Sequence, residues 1–524
     1  MGQERRVWWV SLAIFGLLGG IWALSSPLMS VPDEPAHAIR AVAVWHGELV
    51  GHEVGGDGLT DVQVQDRVPD AYAQLHAEPA CYKGQPWVPA SCAPSVGTGT
   101  TATAVFSPAG WYPPLYYIAV GWPGRLLSPY RALYAMRLCS VAIGAALLAS
   151  AMASAFRLAR SKFVVVGVAL AATPTALFLI GSINPNGFEI AAGIATWVTV
   201  LDLLTRRGPP SPRLIVRVTV VSACMLLARP LSPFFWAVIV LSVLAMAATR
   251  ARLSVLLGDT QARIAAGGLA IVGLFSGVWF LATSGLAAVG LPQTTVAEAA
   301  GHSFRHIPTL LQQMVGVFGW LDTPTPETLS RVWIGAILVV GLVGLVVASM
   351  RRRVVLLAVG VVVLAIPVVI EATGVHSYGY FWQGRYSLPL IAGLPVLASW
   401  MVADSTRIGR PLRASMAVVI GVGVGVEQFI AHGTGFSRYV RGGPTGFVSY
   451  IHGGAWRPTV PVVVLLIGAL VSFGVYGLWI ALVGSFESTD SIGDPGDSEE
   501  PGLSVEPNGA SERALGSPRP LTGP

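Results

Sequence analysis

The sequence predicts an all-α polytopic integral membrane protein of about 12 transmembrane helices, and two features carry that expectation. Of 524 residues, 53% are hydrophobic and 11% charged, whereas a soluble domain carries roughly 25% charged residues. Apolar runs of about 20 residues, the length a helix needs to cross the hydrocarbon, recur along almost the whole chain. Each must be helical, because hydrocarbon offers no partner to an open backbone amide.

The first run, 7–27, is too long and too weakly terminated for a cleaved signal peptide, and a large apolar body follows it, so it reads as a retained helix. The remaining spans fall at 132–156, 163–181, 188–205, 214–230, 231–249, 264–285, 331–350, 354–372, 386–403, 414–431 and 458–483. The division around Arg229-Pro230 is the least marked, since two short helices meet there with little loop between them. The net charge of +6 does not point to nucleic acid. Arginine supplies nearly all the positive charge, and it clusters in short loops, at Arg5-Arg6, Arg157/Arg160/Lys162, Arg206-Arg207/Arg213, Arg250/Arg252/Arg263, Arg351–Arg353 and Arg407/Arg410/Arg413. With both termini cytoplasmic, every cluster is cytoplasmic, as the positive-inside rule requires. All nine histidines then fall in extracytoplasmic segments or at their edges, so any chemistry is expected on the outer face.

The transmembrane domain is expected to occupy 1–484, with a large extracytoplasmic loop at 28–131 and a disordered cytoplasmic tail at 485–524, rich in Ser, Pro, Gly, Asp and Glu. The large loop ends in Trp111-Tyr-Pro-Pro-Leu-Tyr-Tyr117 and an apolar stretch too short to span. It reads as an interfacial or re-entrant helix, with Trp111, Tyr112, Tyr116 and Tyr117 at headgroup depth. Further exported loops are expected at 286–330 and 432–457. Cys139 and Cys224 lie inside apolar runs as packing residues. Cys81 and Cys92 sit in the exported loop, where a disulfide or two free thiols are the alternatives.

Three constellations can carry chemistry. Asp33-Glu34 follows the first span, and Pro35 suits the first turn of a helix through Trp45. Asp33 is then either a plain N-cap or, with Glu34, part of a carboxylate pair at the membrane surface, kept ionised by the helix terminus and suited to act as a base or metal ligand. His37, one turn on, faces the same side. Phe318-Gly-Trp320-Leu-Asp322 ends an amphipathic stretch from about His302, either as a capped proline turn or as part of a site. Tyr380-Phe-Trp-Gln383-Gly-Arg385-Tyr386 sets one arginine among aromatics where a span begins, as a snorkelling anchor or as a phosphate clasp. Asn184-Pro-Asn186 and Glu189 lie at another outer helix end, and Glu371 and Glu427 near the outer ends of spans. The histidines lack metal-ligand spacing, and no phosphate loop, dinucleotide fingerprint or serine elbow occurs.

Together, Val31-Pro-Asp-Glu-Pro-Ala-His37, Tyr112-Pro-Pro-Leu-Tyr-Tyr117, Gly319-Trp-Leu-Asp322 and Gln383-Gly-Arg-Tyr386 resemble the bacterial membrane family known as domain of unknown function 2142, over about 8–480. Asn186 departs from the aspartate expected after the Asn-Pro pair. That family in turn is similar to the C-type glycosyltransferases, which place acidic residues directly after the first helix and take a sugar from a polyprenyl-phosphate carrier. The resemblance implies Asp33 as catalytic base and Glu34 as its assistant. It implies substrate binding by His37, Trp111, Tyr112, Trp320, Asp322, Gln383, Arg385 and Tyr386, with Arg385 on the departing phosphate. The implied donor is a polyprenyl-phosphate-linked sugar, and the acceptor an envelope polysaccharide, lipid or protein in a bacterial plasma membrane. A divalent cation, magnesium or manganese, shared by Asp33 and Glu34 is the one cofactor in view. Two other classes stand beside this reading: a transporter or flippase of lipid-linked glycans, and a non-catalytic envelope-assembly protein. Internal repeats and midplane charges, which mark transporters, are not evident in the sequence.

Overall fold

Each of the twelve apolar runs forms helix in the computed structural model, which describes residues 2–54, 63–159, 161–283, 291–443, 454–487 and 523. Among the described residues, nine helices are long and apolar enough to cross a membrane: Gln3–Ser25, Pro129–Leu158, Pro185–Thr205, Thr260–Thr283, Glu327–Val347, Met350–Tyr378, Gly384–Asp404, Arg410–Arg441 and Val462–Gly484. The chain is a polytopic membrane protein. The other three runs are shorter than expected. Run 163–181 breaks at Pro174 into Val164–Ala171 and Pro174–Ile180, and 214–249 gives Pro212–Leu226 and Ser232–Ala247. Local chemistry sets these boundaries. Proline occupies the first turn at Pro174, Pro185 and Pro212, where its missing N–H is not needed, and Thr173, Asn184 and Ser211 accept the free amides.

Packing follows the same logic. The first helix lies along Pro129–Leu158, which in turn packs on Pro185–Thr205, and the last two spans pack on each other. That last contact needs small residues: a Cβ on Gly425 would stand 2.8 Å from the Phe473 carbonyl oxygen.

Four expectations change. Helix Arg410–Arg441 runs ten residues past its expected end at 431, which carries His432 and Arg438 on a helix instead of a loop. The first loop holds a three-stranded antiparallel sheet of His52–Val54, Gln63–Pro69 and Ala102–Phe106, docked on helix Glu34–Trp45 by an Arg40–Asp66 ion pair of 3.1 Å. Its strands are too short for a period-two pattern to stand out. Tyr116 and Tyr117 are buried within the protein and face no lipid, because the short helix Leu115–Gly121 packs on Glu34–Trp45 and Pro129–Leu158. Ser485–Glu487, the start of the expected tail, is ordered by a Glu487–Arg413 ion pair and by the Lys162 amide, which donates to the Phe486 carbonyl at 2.9 Å. Residues 488–522 and 524 of that tail and His452 lie outside the described residues.

Ion pairs sort the helix ends into two groups. At one end Glu4 joins Arg157 and Arg217, Arg352 joins Asp404, and Arg351 caps carbonyls of Leu244, Ala245 and Ala248. This is the end of the arginine clusters. At the other end, Met29, Pro32 and Val88 meet the segments around 320, 385 and 438. The candidate residues belong to this second group.

Candidate functional site

Helix Glu34–Trp45 begins at Asp33, whose φ of 65° lies in the left-handed region. That conformation is strained for a side-chain-bearing residue, least so for Asp and Asn, and such strain is concentrated at functional sites. The Asp33 side chain caps no helix amide. It turns away to form an ion pair with Arg385, 352 residues later in the chain, and its side chain remains 45% exposed. The plain N-cap reading of Asp33 therefore does not describe its geometry.

Arg385 is only 3% exposed. Its Nη1 donates to the Pro32 carbonyl at 3.1 Å, and its Nη2 serves both Asp33 and the Tyr386 hydroxyl, the latter at 3.1 Å. Gly384 makes this placement feasible, since a Cβ there would stand 2.3 Å from the Leu310 carbonyl oxygen. The turn ahead of it is anchored by Glu371, which accepts from the amides of Phe381 and Trp382 at 3.0 and 2.7 Å and from Ser303. Gln383 precedes this helix with its Oε1 buried and unpaired among the described residues. On its Pro32 side, Arg385 borders a small cavity shared with Thr175, Phe178, Gln313 and Leu321.

A second arginine completes the cluster. Arg229, at the junction of Pro212–Leu226 and Ser232–Ala247, donates to Asn186 Oδ1 at 2.8 Å and to Glu189 Oε2 at 3.1 Å. Its guanidinium stands 4.7 Å from the Tyr386 ring centroid and 5.8 Å from that of Tyr112, while Arg385 stands 5.1 Å from the same Tyr386 ring. His37 bonds the Tyr117 hydroxyl through Nδ1 at 2.9 Å, with Tyr112 5.5 Å away ring to ring. Desolvation pushes the Asp33 carboxyl up, but the charges of Arg385 and Arg229 outweigh it and hold the group below its usual value of 3.8. His37 is driven the other way from charge: burial, reinforced by Arg229 and Arg385 against Asp33, lowers it to about 3, so it is a neutral imidazole.

The other expected residues are engaged elsewhere. Glu34, adjacent to Asp33, is fully buried and faces away, its oxygens accepting from Arg137 Nε and Nη2, each at 2.7 Å, and from the Ile183 amide at 3.1 Å. Arg137 also holds the carbonyls of Ala23, Ser26 and Pro27. Glu34 thus pins the exit of the first helix in place of assisting Asp33. Asp322 accepts from Arg438 at 3.1 Å, the Gly84 amide at 3.0 Å and Thr323 at 2.8 Å. Arg438 simultaneously holds the carbonyls of Tyr82, Gln85 and Val88, so the two residues brace the loop closed by the Cys81–Cys92 disulfide. Trp320 donates to the Met29 carbonyl at 3.2 Å beneath Lys83, and Trp111 is buried with its carbonyl taken by Trp279.

These residues do not fit a divalent cation. Asp33 and Glu34 diverge, both Glu34 oxygens are committed to a guanidinium, and two further guanidiniums flank Asp33. Among the described residues no three His, Cys, Asp or Glu side chains gather as a ligand set.

The structure therefore brings together Asp33, His37, Tyr112, Arg385 and Tyr386, and it adds Arg229, Asn186, Glu189 and Tyr117, which the sequence reading did not place in the site. Arg229 carried a signal: it is an arginine at the junction of two apolar runs, away from every basic cluster. What this arrangement can do is hold an anion on guanidiniums next to an ionised, solvent-reachable carboxylate. No curated protein matches the chain. The family model for predicted membrane proteins described as DUF2142 matches residues 15–394, a stretch that includes Asp33, Arg229 and Arg385, and the chain belongs to that family.

Proposed function

We propose that the protein is a membrane glycosyltransferase that moves a sugar from a polyprenyl-phosphate donor to a cell-envelope acceptor at the outer face of the plasma membrane, with both termini cytoplasmic. The observation that carries this reading is the meeting of Asp33 with Arg385, a carboxylate and a guanidinium from distant parts of the chain at the loop end of the helices. A lipid-phosphate donor reaches its enzyme from the membrane plane, so a charged site where spans give way to loops suits it. The acceptor oxygen forms a bond to the anomeric carbon while the bond from that carbon to the phosphate oxygen breaks. The electron pair leaves on polyprenyl phosphate, beside the guanidinium. The acceptor proton passes to Asp33. A carboxylate held below its ordinary value is a weak base towards a resting alcohol. It suffices once the new bond is forming, because positive charge building on the acceptor oxygen makes its proton acidic. Neutral His37, Tyr112 and Gln383 supply hydrogen-bonding and stacking partners to sugar hydroxyls.

Membranes holding the wild type are expected to release polyprenyl phosphate from a lipid-linked radiolabelled sugar, and Asp33→Asn is expected to lower the rate by about 100-fold or more, the usual contribution of a positioned base. Undiminished transfer by Asp33→Asn removes Asp33 as the base. Solute movement across liposomes without any transfer hands the function to the transporter reading.

A further inference from the structure

An arginine offers five N–H donors, and how many are used separates structural arginines from those with capacity to spare. Arg137 uses all five: Nε on Glu34, Nη1 on two carbonyls, Nη2 on a carbonyl and Glu34. Arg229 does not. Its Nη1 is taken by Asn186 and Glu189, its Nη2 has only the Tyr112 hydroxyl at 3.5 Å, the outer limit of a hydrogen bond, and its Nε is buried without a partner among the described residues. Nε and Nη2 lie on one edge of the guanidinium plane, the edge that grips two oxygens of an anion at once. Arg385 likewise keeps a buried, unpaired Nε beside the Nη2 that holds Asp33.

An unpaired Nε alone is not diagnostic, since Arg40 and Arg438 have one too. Arg229 differs in position: it shares the Tyr386 ring with Arg385 and acts on the Asp33 carboxylate. Asn186 is a neutral acceptor, and Glu189, the acid paired with Arg229 at 3.1 Å, also accepts from Ser232 at 2.6 Å.

We infer that Arg229 and Arg385 form a two-guanidinium seat for the phosphate of a polyprenyl-phosphate donor, with Arg229 presenting its Nε–Nη2 edge. This rests on the glycosyl-transfer reading and extends it to a residue outside the motifs that suggested it. The chemistry calls for two cations: the donor is a phosphodiester with one negative charge, and the leaving polyprenyl phosphate is a monoester that gains a second charge as the sugar departs. Arg385 already spends its Nη2 on Asp33 and Tyr386, and a second guanidinium at the same ring, with its Nε unpaired among the described residues, adds donors for the second charge.

The test uses the full chain in phosphatidylcholine nanodiscs and a fluorescent polyprenyl phosphate, with unlabelled polyprenyl phosphate, polyprenol and inorganic phosphate as competitors. Wild type is expected to bind the probe and to lose it to polyprenyl phosphate at far lower concentration than to polyprenol or inorganic phosphate. Arg229→Gln is expected to weaken probe binding at least 10-fold, and Arg229→Lys, which keeps the charge but not the fork, to fall between. The double variant Glu189→Gln/Arg229→Gln removes both charges of the pair, so it controls for misfolding caused by a stranded Glu189, and it is expected to show the same loss. Probe affinity within twofold of wild type in that double variant overturns the seat. If wild type holds polyprenol as tightly as polyprenyl phosphate, the seat and the glycosyl-transfer reading fall together. If Asp33→Asn abolishes transfer while Arg229→Gln binds the probe normally, the seat alone falls.

Discussion

Replacing Glu34 by Gln is expected to unfold the protein, whereas replacing its neighbour Asp33 by Asn is expected to silence it, and the structure sets the size of the first effect. Glu34 and Arg137 are both 0% exposed, and the pair is bidentate, with a third bond from the Ile183 amide. Removing one partner of such a pair costs about 3–5 kcal/mol, because the other is left charged in a low-dielectric interior. In Glu34→Gln the new amide also points its N–H groups at one of the Arg137 nitrogens. Arg137 in turn anchors the carbonyls of Ala23, Ser26 and Pro27, so the loss is transmitted to the exit of the first helix. Unfolding in detergent, followed by the fraction remaining monodisperse on heating, measures the loss. The double variant Glu34→Gln/Arg137→Gln is expected to lose clearly less than the sum of the two single variants, with a coupling above about 1 kcal/mol. Stability of Glu34→Gln equal to wild type, or strict additivity in the double variant, refutes the buried clamp and returns Glu34 to the list of residues free to act on substrate.

His37 should give the protein an acid-sensitive component. Its imidazole is neutral when folded down to about pH 3 but takes a proton near 6.5 when unfolded, so between those values the unfolded state binds more protons and stability falls as pH drops. His37→Gln is expected to flatten that part of the stability profile, measured as the difference from wild type; an unchanged slope refutes the assignment. The Cys81–Cys92 disulfide closes a loop with a sequence separation of 11, a constraint of about 3 kcal/mol on chain-entropy grounds. Cys81→Ser/Cys92→Ser is expected to raise protease cleavage within residues 81–92, and cleavage as slow as wild type counts against a structural role. Asp322→Asn is expected to loosen the same loop through Arg438 and Gly84, with faster proteolysis there and an unchanged KM for donor; a raised KM with the loop intact would restore Asp322 to the substrate.

The spans were legible because hydrocarbon demands length and apolarity of each helix separately, a property of contiguous sequence. All twelve runs are helical. Prolines and caps set the shortened spans, whereas a tertiary contact accompanies the lengthened one: on helix Arg410–Arg441, Arg438 holds Asp322 and three loop carbonyls. The sheet in the first loop escaped notice because its three strands take their stability from docking on Glu34–Trp45, through Arg40 and Asp66, and not from a pattern of their own. Aromatic residues misled for a related reason. Tyr116 and Tyr117 look like headgroup anchors by composition, but the loop that carries them folds back over the bundle and buries them.

The Asp33-Glu34 pair shows where sequence reading stops. Two adjacent carboxylates suggest one shared task, yet neighbours at the start of a helix point in different directions, and the left-handed backbone at Asp33 widens that divergence. One carboxylate meets an arginine whose donors are all spent, and it becomes architecture. The other meets an arginine with an unpaired nitrogen in a site open enough to leave the carboxylate half-exposed. Both are carboxylates and they are adjacent in sequence, so what separates their roles is their partners, Arg137 and Arg385, which arrive about 100 and 350 positions later in the chain. Arg229 went unnoticed for the same cause: its surroundings are drawn from three separate helix ends and the first loop, and no window of sequence contains them.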